Sequence, residues 1–115
     1  MIVQKVKYTD TDKPKVWQIG DLVDYIRAPH NTNAHEKIAH AGSRNFLSGT
    51  HTGQKLEMIL LAEESVHSKM PVSHWRVSWK ENEQPSRSQV DELVDIFLAN
   101  MGLSDYQAVY GLHYN

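Results

Sequence analysis

The sequence predicts an α+β fold, an antiparallel sheet with helices packed on one face. Two observations carry that expectation. Short segments of alternating polarity stand at 2–8, 72–79 and 106–113, and apolar residues between them recur at three- and four-residue steps. The resulting order is strand, helix, irregular segment, helix, strand, helix, strand, without an internal repeat or low-complexity tract. At 115 residues the chain suits one ordinary core, so a single domain over 1–115 is expected.

Each element has a local reason. In 2–8, Ile2, Val6 and Tyr8 fall on one side and Val3, Lys5 and Lys7 on the other, the period of a half-buried strand. Residues 9–13 are polar and turn-like. Pro14 suits the first turn of a helix, where its missing amide has no partner to lose, and Ile19, Leu22, Val23 and Ile26 follow at helical spacing until Pro29. Residues 30–53 are rich in Asn, His, Thr, Ser and Gly and read as a loop holding a short strand near 37–41. Loops of this length often carry function. Leu56, Ile59, Leu60 and the run 62–66 mark a second helix over 54–67, closed by Pro71.

The second half is more regular. Trp75, Val77 and Trp79 alternate with His74, Arg76 and Ser78, which defines a strand. After Pro85, either Ser86 with Gln89 or Ser88 with Asp91 can form a capping pair for a third helix. Along it Val90, Leu93, Val94, Phe97, Leu98 and Met101 recur at helical steps, and Gly102 stands where a left-handed cap residue belongs. The last strand places Tyr106, Ala108, Tyr110 and Leu112 opposite Gln107, Val109, Gly111 and His113. The strongly apolar third helix is expected to cover Trp75, Val77 and Trp79. His74, Arg76 and Ser78 would then lie on an open, polar working face.

Composition narrows the function classes. Charged residues make up 23% of the chain and the net charge is -2, so the overall balance gives no electrostatic grip on nucleic acid. The charge is uneven, however: Arg27, Lys37, Arg44 and Lys55, with His30, His35, His40 and His51, are opposed between 27 and 55 by Glu36 alone. A local basic surface is expected there. The absence of cysteine excludes a disulfide framework, a thiolate zinc site and cysteine nucleophile chemistry. No window approaches the ~20 apolar residues of a membrane span, and a soluble cytoplasmic protein is expected.

Individual residues leave their chemistry open. Tyr25 lies roughly 110° around the helix wheel from the apolar stripe, so it is a flank tyrosine with a wet hydroxyl or a nucleophile for phosphorus. The seven histidines lack the close pair of a helical zinc motif. A lone strand histidine is ordinarily a partly buried polar residue. Trp75, Trp79 and Tyr106 read as core rather than as a base-stacking platform.

The blocks 22–27 (LVDYIR), 36–47 (EKIAHAGSRNFL), 53–65 (GQKLEMILLAEES), 74–80 (HWRVSWK) and 107–115 (QAVYGLHYN) stand in order and at spacings that change this. Together they resemble the start of plasmid conjugative relaxases of the TraI/MobA type, a branch of the HUH endonucleases. The resemblance implies that Tyr25 attacks the scissile phosphate of a DNA strand and becomes a 5′-phosphotyrosyl link. It implies a DNA contact beside the nick for Ser78. Arg44 and Asn45, and Arg76 on the polar strand face, are further candidates for DNA contact. Such enzymes act on single-stranded DNA at a transfer origin, with accessory relaxosome proteins.

The same resemblance implies a divalent metal, Mg or Mn, bound by three histidines. His113 resembles the first; the other two, a His-x-His pair, would lie beyond Asn115, which itself replaces the acidic residue usual there. An incomplete HUH relaxase fold is therefore expected. A single imidazole holds a transition metal weakly, so the 115-residue chain is expected not to nick DNA efficiently. The family's next strand pairs beside 106–113, and without it an unpaired edge invites a homodimer. The alternatives are a non-catalytic single-stranded DNA-binding module and a small self-associating interaction domain.

Overall fold

Alternation produced strands and helical spacing produced helices, in the order β1 (Ile2–Val6), α1 (Lys15–Arg27), β2 (Lys37–Arg44), α2 (His51–Glu63), β3 (His74–Ser78), α3 (Arg87–Asn100) and β4 (Ala108–Tyr114). The computed structural model describes residues 1–6, 14–27, 37–64, 72–80 and 82–114. Lys7, Tyr8, the turn 9–13, Pro29 and the end expected for the second helix at 67 lie outside the described residues.

The strands form two antiparallel ladders, β1 with β3 and β2 with β4. In the first, Ile2 pairs with Ser78, Gln4 with Arg76 and Val6 with His74. Pleating puts these six residues on one face and Val3, Lys5, Trp75 and Val77 on the other. The second face meets α3, where the Trp75 and Phe97 rings make an edge contact with centroids 5.3 Å apart. Arg76 and Ser78 are exposed on the first face, as alternation requires. His74 there is half-buried. Burial, followed by the charge of Arg76, holds its imidazole below the ordinary value.

β2 is longer than the short strand expected near 37–41, running on to Arg44 opposite Ala108. His40, Gly42 and Ser43 carry little strand preference of their own, so pairing with β4 supplies what the local sequence lacks. A register irregularity lies between Ile38 and His40.

β4 organises the helices. Its Val109 packs against a cluster of Ile19, Val23 and Ala62, which Met58, Ile59 and Val72 also join. Gly111 and His113, two and four residues on, share that side and meet the end of α1: a Cβ at 111 would collide with the Ile26 carbonyl oxygen. Glycine is required by that approach. Tyr110 points to the opposite side, where its hydroxyl donates to Asp91 of α3 at 2.7 Å. The α+β expectation therefore holds, and its single helical face describes the β1–β3 ladder. The β2–β4 ladder has α1 on one side and α3 on the other.

Helix ends follow their sequence signals. Ser86 and Gln89 form the capping box of α3, and Gly102 takes a left-handed φ of 71° after its last turn. The α2 helix starts at His51, earlier than apolar spacing alone placed it, because Thr50 accepts from the Gly53 amide. Among the described residues, no helix is long and apolar enough to cross a membrane.

Candidate active site

Tyr25 stands in the last turn of α1, off the apolar seam, and is 53% exposed. Its ring lies 5.6 Å from that of His113 between centroids, tilted by 42°. The His113 Nε2 donates to the Ile26 carbonyl oxygen at 2.7 Å. A carbonyl oxygen can only accept, so Nε2 holds a proton, and in the neutral ring the lone pair is on Nδ1. The fold thus brings together Tyr25 and His113, 88 positions apart, through the contact of α1 with β4.

A three-histidine metal site is not completed by these residues. Among the described residues, no group of three or more His, Cys, Asp or Glu side chains could hold a metal ion. His113 offers one ligand atom, the Nδ1 of its neutral ring.

The other sequence candidates divide into two groups. Arg76 and Ser78 are exposed on the open face of the β1–β3 ladder, and among the described residues their side chains have no hydrogen-bond partner. Arg44 and Asn45 are instead tied into the fold. The Arg44 guanidinium donates to Asp95 through Nε at 2.7 Å and to the Tyr110 hydroxyl through Nη1 at 2.8 Å. Its charge also lies 5.3 Å from the Tyr110 ring centroid. The bond to Asp95 raises the Arg44 pKa further, against a smaller opposing effect of burial. Asn45 adopts a positive φ of 65°, and its Nδ2 donates to the Ser104 and Tyr106 carbonyl oxygens, each at 2.7 Å.

Among the described residues, the basic side chains expected to form a surface between 27 and 55 are engaged inside the molecule. Arg27 is half-buried and donates to Gln54 and to the Gly42 carbonyl oxygen. Burial lowers its pKa. Lys55 Nζ and His51 Nε2 both reach Asp24, each at 2.8 Å. Burial raises the Asp24 carboxyl, but the bonds from Lys55 and His51 outweigh it and hold the group below the ordinary value. His40 Nε2 bonds Asp91 at 2.7 Å. The hydroxyl of Tyr110, then His40, keeps Asp91 below its ordinary range. His30, His35 and the Lys37 side chain lie outside the described residues.

Composition and spacing missed Asp24, His51, Asp91 and Tyr110 as interacting residues. Asp24 and His51 are 27 positions apart, and His40 and Asp91 are 51 apart, beyond any local period. Tyr110 could have been separated from Tyr25 only by its partners. Burial, and then the bond to Asp91, raises its pKa, and its hydroxyl proton is engaged by that carboxylate.

An α+β frame with antiparallel ladders and an exposed helix-end tyrosine against a strand histidine is compatible with a nuclease domain. The chain belongs to the MobA/VirD2-like relaxase nuclease domain family, whose model matches residues 25–115. It is 52% identical over 56 residues to Protein MobA of Acidithiobacillus ferrooxidans, a stretch covering 49% of this chain and 14% of that protein. No solved structure matches.

Proposed function

We propose that the chain is the nucleophile-bearing part of a mobilisation relaxase, which nicks one strand of plasmid DNA at a transfer origin. The observation that carries this reading is the exposed Tyr25 ring held against His113 in a chain of the relaxase nuclease family. The Tyr25 oxygen attacks the scissile phosphorus and forms a phosphotyrosyl ester. The bond from phosphorus to the 3′ oxygen breaks, the phenol proton is lost to base, and the departing oxygen is protonated as a 3′ hydroxyl. Reversal of the same steps religates the strand. A divalent metal of the kind this family generally uses would offset charge developing on the phosphoryl oxygens. His113 would contribute one ligand.

Ser78 and Arg76 would seat the single strand on the open face of the β1–β3 ladder, which supports their role over that of Arg44 and Asn45. That exposed polar face also favours a second reading for the 115-residue chain, binding of single-stranded DNA without chemistry. Accessory relaxosome proteins and a homodimer through the edge of β4 that has no partner strand among the described residues belong to the same proposal. Light scattering that finds a strict monomer at high concentration would contradict the dimer.

The test is covalent capture of a single-stranded origin oligonucleotide. A longer chain with a complete metal site should form a denaturant-resistant adduct, and Tyr25→Phe should abolish it. The 115-residue chain should bind the oligonucleotide without forming the adduct. An adduct that survives in Tyr25→Phe contradicts the assignment.

A further inference from the structure

The α1 helix is held on two flanks. Ile26 and Tyr25 meet β4 on one side, through the Gly111 approach and the ring contact with His113. On the other side Gly20, Asp24 and Arg27 stand four and three residues apart along one stripe of the helix. They face His51, Gln54 and Lys55 in the first turns of α2. Lys55 lies over Gly20, where an added Cβ would come within 3.0 Å of its Cε, and its Nζ reaches Asp24 Oδ2 at 2.8 Å. His51 Nε2 bonds the other carboxylate oxygen at 2.8 Å. Next along the stripe, Arg27 donates to the buried Gln54, which itself donates to the Ser48 carbonyl oxygen at 2.8 Å.

This seam differs in kind from the apolar contact beside it. Ile19, Val23 and Ala62 decide which face of α1 is buried but resist a small roll only weakly, because hydrophobic attraction has no direction. Hydrogen bonds do have direction. A carboxylate bonded through both oxygens to two side chains of another helix therefore resists a roll of α1 about its own axis. Tyr25 is the next residue, about 100° around the helix. A roll of about 20° carries an atom roughly 6 Å from the axis through about 2 Å. Misplacement by ~1 Å is enough to cost on the order of 10²-fold in rate.

We propose that Asp24, clamped by His51 and Lys55, is a positioning residue that sets the roll of α1 and thereby holds the Tyr25 ring against His113. The functional consequence rests on Tyr25 as nucleophile, whereas the geometry can be tested without any reaction. In the 115-residue chain, nuclear Overhauser contacts between the Tyr25 and His113 rings report the roll directly. Asp24→Ala should abolish them while the β2–β4 ladder and α3 keep their native signals. Lys55→Met retains the stem over Gly20 and removes one bond; it should weaken the same contacts by at least half, and it carries the test if Asp24→Ala does not fold.

Ring contacts of native strength in either folded variant would overturn the proposal. In a longer chain with a complete metal site, Asp24→Ala should lower kcat for nicking by about 10²-fold at unchanged KM for the oligonucleotide. An unchanged kcat would also overturn it. If Tyr25→Phe still nicks, the nucleophile assignment fails, and the ring contacts still decide the role of Asp24.

Discussion

At the scale of single residues, the same side-chain type takes different roles according to its partners. Tyr25 and Tyr110 are both helix- or strand-borne phenols, yet one is exposed beside His113 and the other is enclosed by Asp91 and Arg44. Tyr110→Phe should lower stability by about 1 kcal/mol, the usual net worth of a hydrogen bond, and leave adduct formation by a metal-complete chain intact. Denaturant titration and gel analysis of the adduct check the two halves of that statement. Asn45 presents a sharper choice. Its left-handed backbone and its two bonds to 104 and 106 favour a structural role, so Asn45→Ala should cost about 2 kcal/mol, with Asn45→Gly costing less because it relieves the strain. Lost DNA affinity at unchanged stability would restore Asn45 as a DNA contact.

At the scale of elements, α3 is joined to the rest of the molecule in two ways. Phe97 meets Trp75 on one ladder, while Asp91 and Asp95 hold His40, Tyr110 and Arg44 on the other. Because the Asp91 pKa is depressed in the folded state, its contribution is fully present above the ordinary aspartate value of 3.8. It is lost as pH falls through the lower folded value. Thermal denaturation should therefore show stability declining below about pH 4, with a shallower acid dependence in Asp91→Asn. The start of the helix makes an independent contribution: Ser86→Ala removes the capping box and should cost about 1 kcal/mol, measurable in denaturant.

The same scale shows what could be read from the sequence. The third helix, its cap and Gly102 were legible because each signal is local. So was the alternation that put Trp75 beneath α3 and Arg76 in solvent. The full length of β2 was not legible, since its glycine and polar residues become a strand only against β4. Likewise, the position of Tyr25 off the apolar seam followed from helical geometry, but its meeting with His113 depends on a tertiary contact across most of the chain. The basic stretch was misleading for a related reason. Sequence shows that Glu36 is its only local acid and cannot show Asp24, Asp91 and Asp95 arriving from other elements.

At the scale of the whole molecule, a net charge of -2 and the internal bonds of Arg27, Arg44 and Lys55 favour a DNA grip through few cations. Binding of a single-stranded oligonucleotide should weaken with salt, but with the shallow slope of few phosphate contacts. Arg76→Ala should reduce that slope by about one unit in fluorescence anisotropy, whereas Arg44→Ala should act mainly on stability. Under the proposed function, labour divides between an open face that would seat DNA and an α1–β4 junction that would present the nucleophile.

The measurement that bears most directly on that account is peptide-level mass spectrometry of the covalent DNA adduct, formed by a chain with a complete metal site. Tryptic cleavage after Lys15 and Arg27 yields the peptide VWQIGDLVDYIR, whose only tyrosine is Tyr25. The nucleotide mass should appear on that peptide. Its appearance instead on a peptide bearing Tyr8, Tyr106, Tyr110 or Tyr114 would contradict the account.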